Sequence, residues 1–149
     1  MPSLLFIASM LAAAPVQGED LTVDLMCHGR GDVSYTTNVA RAEPGKPKPP
    51  AQFRTFRDPF RGVVQVRVRG GKAEALLPPE MLRNNPGRSW SPIIKFQVSE
   101  SEIRGKVELG ILYAPLINVN RATGDISISG SMSNFAGSCE PYDPGQRRF

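Results

Sequence analysis

Apolar and polar residues alternate with a period of two through most of the chain. Leu21, Val23, Leu25 and Cys27 fall on one side of a first extended segment, and Thr22, Asp24 and Met26 fall on the other. That is the pattern of a strand with one buried face, and it points Cys27 where the apolar residues point. Farther along, Val64, Val66 and Val68 alternate with Gln65, Arg67 and Arg69 before Gly70-Gly71 leads into residues 72–77. Two glycines between alternating runs predict a tight hairpin. More strands are predicted over residues 93–98, with Ile94, Phe96 and Val98 facing in, and over 103–109, with Ile103, Gly105, Val107 and Leu109 on one face. Residues 115–120 and 125–131 flank Arg121-Ala122-Thr123-Gly124, whose glycine suits a turn, and the tail through Phe135 and Cys139 is expected beside the first strand.

No stretch carries a sustained helical stripe. Pro78-Pro79-Glu80-Met81-Leu82 allows one helical turn, with proline at its tolerated first position, before Asn84-Asn85-Pro86-Gly87 ends it. The fold class is therefore all-β: an antiparallel sandwich or partly closed barrel of about seven or eight short strands. The exception is residues 40–60, where Pro44-Gly45-Lys46-Pro47-Lys48-Pro49-Pro50 reads as a Pro-rich basic loop lying across a sheet edge, because proline donates no ladder hydrogen bond. Loops of this length are often functional.

The first residues change the picture. Leu4 to Ala14 is an uncharged apolar run, long enough for the hydrophobic region of an export signal and too short to span a bilayer as a helix. Cleavage is expected after Gly18, with Ala14 as the second choice, although Met1-Pro2-Ser3 lacks the usual basic residue. The organisation is then a signal peptide over 1–18 and a single β domain over 19–149, so that 131 of the 149 residues remain, enough for one core. Lipid attachment at Cys27 does not fit, since Asp24-Leu25-Met26 precedes it where small residues are needed. The chain holds two cysteines. An even count in an exported chain, near the two ends of the mature domain, predicts a Cys27–Cys139 disulfide.

Candidate chemistry is sparse. His28 is the one histidine and follows Cys27 directly, but neighbours on a strand point to opposite faces and a cystine is neither nucleophile nor metal ligand. No catalytic residues, metal ligands or cofactors are assigned. Asp24, Asp32, Asp58, Glu74, Glu80 and Asp125 are carboxylates without a pairing legible in the sequence. Arg30-Gly31-Asp32 spells an integrin-recognition tripeptide and reads as a plain turn.

Charge is more informative. The net charge is +4, yet residues 29–72 hold ten basic against three acidic residues. Arg54, Arg57, Arg61, Arg67 and Arg69 are the candidate binding residues for an anionic partner, with Phe53, Phe56 and Phe60 interspersed. The partner would be an anionic envelope surface or an acidic protein; nucleic acid suits an exported protein poorly, and no transmembrane span remains after signal cleavage. An inhibitor of secreted hydrolases fits the size, but a basic protein is ill matched to basic targets.

Ala75-Leu76-Leu77-Pro78-Pro79, Ser89-Trp90, the run from Ile117 to Gly124 and Phe135-Ala136-Gly137-Ser138-Cys139 together resemble uncharacterised small exported bacterial β proteins with no assigned activity. The resemblance spans most of the mature chain and implies the fold, with no activity or site residues to carry over. The leading expectation is a non-enzymatic exported domain, periplasmic or secreted, that docks an anionic surface through a basic face. The alternative is a small carrier whose barrel interior, lined by Val64, Val66, Val68, Ile94, Phe96, Val98, Ile126 and Ile128, holds an apolar ligand.

Overall fold

A computed structural model describes residues 21–143 except 83–86 and 88, together with 145; the expected signal segment, residues 1–18, lies outside them. Eight strands form in chain order: β1 Val23–Asn38, β2 Phe53–Arg69, β3 Lys72–Leu76, β4 Ser91–Val98, β5 Glu102–Val107, β6 Leu116–Asn120, β7 Asp125–Ser129 and β8 Ser133–Pro141. A single 3₁₀ turn, Pro79–Leu82, sits between β3 and β4, where the proline pair predicted it. Each strand pairs antiparallel with the next and β8 returns to β1, so the sheet closes into a barrel.

Closure follows from where the alternation points. Val64, Val66, Val68, Ile103, Val107, Val119, Ile126, Ile128 and Phe135 converge on the interior and are at most 2% exposed. Eight strands enclose a space that side chains of this size fill, and β-branched residues suit the pleated wall. The outward positions on the wall are mostly polar or charged, among them Gln65, Arg67, Arg104, Lys106, Asn118 and Ser127, with Val63 and Leu116 as exposed apolar exceptions. This is the reverse of the apolar outer band a bilayer-spanning barrel presents. Among the described residues, no helix is long and apolar enough to cross a membrane.

Cys27 and Cys139 stand directly opposite each other in the β1–β8 register, with Cα atoms 3.9 Å apart, and form the expected disulfide. Cys27 is fully buried, as the first strand's alternation predicted. The bond crosses the seam at which the first and last strands meet.

The Gly70-Gly71 hairpin is also as predicted, with φ of 54° and 76° at its two central residues. Both are positive, as a type I′ turn requires. Gly71→Ala forces a side chain into that region, and we expect a loss of about 1 to 2 kcal/mol in chemical denaturation, whereas Gly70→Asn is expected to be tolerated. Equal destabilisation by both substitutions would contradict this assignment.

Three expectations are corrected. Residues 53–60 belong to strand β2, because the four prolines 44, 47, 49 and 50 all fall in the connection 39–52 and leave only Pro59 to accommodate. Pro59 lies where β2 has β1 as a neighbour but not β3, which joins β2 only at Gln65–Arg69, so it sits beside an open edge. Arg30-Gly31-Asp32 is no turn: it lies within β1, paired to Arg61-Phe60-Pro59 on one side and Ala136-Phe135-Asn134 on the other. In β4, Ile93 is the residue buried at 3%, and Ile94 is only half-buried. A bulge between Ile94 and Gln97, with Lys95 at φ 51°, inserts one residue and brings the strand back into phase for Val98 to face in opposite Ile103.

β1 and β2 outrun their neighbours. β8 leaves β1 at Val33, yet β1 and β2 pair without interruption as far as Asn38 and Phe53. Five residue pairs thus form a two-stranded ribbon extending about 17 Å past the rim, ending in the exposed connection 39–52.

Candidate functional site

The meander sorts the connections onto two ends. The ribbon with 39–52, residues 77–82 with 89–90, the 108–115 loop and the 130–132 turn share one pole; 70–71, 99–101 and 121–124 share the other. Exposed large apolar side chains are concentrated at the ribbon pole. Tyr35, Phe53, Phe56, Ile111, Leu112 and Met132 all belong to it, and Phe53 is 70%, Leu112 98% and Ile111 103% exposed. Single exposed apolar residues are ordinary on a soluble protein, but their gathering at one end is not.

The ribbon is held in register by side chains. Tyr35 and Phe56 are cross-strand partners whose rings stack with centroids 5.5 Å apart, and on the opposite face the Thr36 and Thr55 hydroxyls hydrogen-bond at 2.9 Å. Such pairs are the unit of stabilisation in a two-stranded ladder. Where the ribbon leaves the barrel, a depression of about 310 Å³ opens between it and the rim, lined by Val33, Tyr35, Leu82, Leu112, Tyr113 and Met132 among others. At its margin the Tyr113 and Ser133 hydroxyls share a hydrogen bond of 2.8 Å, which ties the 108–115 loop to the start of β8.

The five candidate arginines do not form one face. Strand alternation puts Arg57, Arg61, Arg67 and Arg69 on the outer side of β2 and Arg54 on the other side, with Phe56. Arg67 donates from Nε to Glu74 Oε2 at 2.6 Å and lies 3.8 Å over the Trp90 ring. Arg69 donates from Nη2 to both carboxylate oxygens of Asp24 at 2.9 Å. These two are committed to the barrel wall, where their charge is locally neutralised. Arg57 Nη1 stands 4.0 Å from Asp32 Oδ1, a loose pairing beyond hydrogen-bond length that leaves this buried oxygen without a donor. Arg54 and Arg61 have no carboxylate partner among the described residues, and Arg61 lies across from Arg30 in the β1–β2 ladder. Like charges directly opposite each other repel, so the pair is a cost to the isolated barrel. Arg41, Lys46 and Lys48 extend the group along the connection, Lys46 in an exposed ion pair with Glu43.

Ile111, Leu112 and Met132 were not among the sequence candidates. A signal was present: from Leu109 to Leu116 the chain loses its alternation, running apolar almost continuously between Gly110 and Pro115. A strand pattern does not account for that run.

His28 points away from the cystine and is exposed, as its strand position predicted. The carboxylates are engaged separately: Asp24 with Arg69, Glu74 with Arg67, and Asp125 accepting from the Thr123 hydroxyl at 2.8 Å. Among the described residues, no three His, Cys, Asp or Glu side chains gather in a metal-holding arrangement. Comparison with protein-family models, with curated proteins and with solved structures returns no match.

Proposed function

We propose that this chain is a non-enzymatic exported domain that docks an anionic surface through its ribbon pole. The observation that carries the reading is the division among the arginines. Arg67 and Arg69 are spent on internal ion pairs, while Arg54 and Arg61, with Arg30 beside Arg61, keep their charge on and below a ribbon that stands clear of the barrel. Residues 30–61 hold seven basic side chains against three acidic ones, and a positive field on a protruding element is the first part of the molecule that a negative surface meets. Export is supported by the apolar run from Leu4 to Ala14 and by a disulfide of the kind that persists in oxidising compartments.

The carrier reading draws less support, because Val64, Val66, Val68, Ile126 and Ile128, which would line its cavity, pack at no more than 2% exposure.

The test compares two sets of substitutions on the full domain. Arg54→Gln, Arg57→Gln and Arg61→Gln together are expected to weaken sedimentation with phosphatidylglycerol-containing vesicles by on the order of a hundredfold, at about 1 kcal/mol per charge near an anionic surface. Arg67→Gln with Arg69→Gln should change it far less and cost fold stability instead. Adsorption that ignores both salt and the triple substitution would end the proposal.

A further inference from the structure

Taking the anionic-surface reading as its basis, we propose that the surface is a lipid bilayer and that Ile111 and Leu112 insert into it while the ribbon arginines bind headgroups. The exposure of these two side chains is the starting point. They sit side by side in the 108–115 loop, whose Leu109, Tyr113 and Pro115 pack onto the barrel, while the barrel buries neither Ile111 nor Leu112.

Phe53 of the ribbon and Met132 of the β7–β8 turn add exposed apolar groups from two other elements at the same pole. A protein partner must match the shape of such a surface to bury it, with packing like that of a protein interior. Apolar tips on separate protrusions suit a fluid boundary, which adapts to each of them without a complementary relief. The chemistry around them also fits this boundary. Tyr35 and Phe56 are stacked and partly exposed on the ribbon's inner face, and aromatic rings favour the headgroup level. Arg54 and Arg57 flank them on the two faces of the same ribbon. Cations beside apolar tips satisfy the two requirements of interfacial binding, headgroup attraction and shallow apolar burial.

Insertion must be shallow. Loop backbone carries polar groups that hydrocarbon cannot satisfy, so the tips reach the headgroup–acyl boundary, about 5 to 10 Å deep, and the barrel stays outside. The polar outer wall of the barrel agrees with this arrangement.

The experiment places a reporter at the tip. In a Trp90→Phe background, which removes the chain's single tryptophan, Leu112→Trp is mixed with phosphatidylglycerol vesicles, with phosphatidylcholine vesicles and with polyglutamate. The expected result is a blue-shifted emission, quenched by acyl-brominated lipid, with the anionic vesicles alone. Separately, Ile111→Ser with Leu112→Ser should weaken vesicle binding at least tenfold, since two apolar side chains no longer leave water, with the urea midpoint unchanged because neither side chain packs in the folded domain. Vesicle binding without a blue shift and indifferent to the serine pair would overturn insertion and leave electrostatic docking standing. Binding to polyglutamate and not to vesicles would overturn the bilayer in favour of an acidic protein. Binding to none of the three would overturn insertion and docking together.

Discussion

Replacing Cys27 and Cys139 together with alanine is expected to lower the stability of the domain by about 4 kcal/mol. The bond closes a separation of 112 residues. In the chain-entropy account, a loop that long restricts the unfolded ensemble strongly, and the loss on its removal appears there more than in the folded contacts. Its position adds a second consequence. The two residues face each other across the β1–β8 ladder, the one seam joining strands from opposite ends of the chain. Every other pairing in the barrel is between consecutive strands, joined by 2 to 14 residues of chain, so loop closure costs most at this seam. Without the disulfide, hydrogen exchange should speed up first along β8 and the part of β1 that it covers. Urea denaturation with and without reductant gives the same comparison on the unaltered protein. An unchanged midpoint under conditions where the bond is shown to be reduced would contradict this account.

Phe135→Ala is expected to cost about 3 to 5 kcal/mol, as large aromatic deletions in packed cores do. Phe135 is among the largest fully buried side chains, at 2% exposure. It faces Gly31 in β1 and Ile128 in β7, and its ring stacks on Phe60 at 6.3 Å between centroids. Gly31 is the cross-strand partner of both rings, opposite Phe60 on β2 and Phe135 on β8. The missing side chain at Gly31 leaves the space over which the two rings meet, a pairing that compensates a glycine within a strand. Truncation at 135 opens a void that valine and isoleucine neighbours, stiff at χ1, cannot collapse into. Phe135→Leu should recover much of the loss. Because the site lies inside the barrel and the ribbon arginines lie outside it, vesicle binding by the folded fraction should be unaffected. A Phe135→Ala protein as stable as its parent would mean that the ring is not a core element.

Period-two alternation determined the strand class of this protein and the inward direction of Cys27, and the glycine pair determined the Gly70-Gly71 hairpin. Each is a local or nearly local consequence of backbone geometry: side chains on a strand alternate whatever the strand pairs with, and a two-glycine turn selects its own φ values. The run of prolines set the limits of one loop but was read too broadly, because residues 28–38 and 53–60 show little alternation of their own and hold their strand form through their pairing partners, one another and, for 28–33, β8. Tertiary structure alone decided that the sheet closes into a barrel and that β1 and β2 run past the rim as a ribbon. It also decided which charges remain available. Arg69 meets Asp24 across 45 residues of sequence and Arg67 meets Glu74 across a hairpin, so charge counts along the chain assigned to one face arginines that the barrel wall had already paired. Ile111 and Leu112 joined the ribbon pole for the same reason. Strand direction in a closed meander gathers every second loop at one end, and no stretch of sequence carries that information until the strands are counted and the barrel is closed.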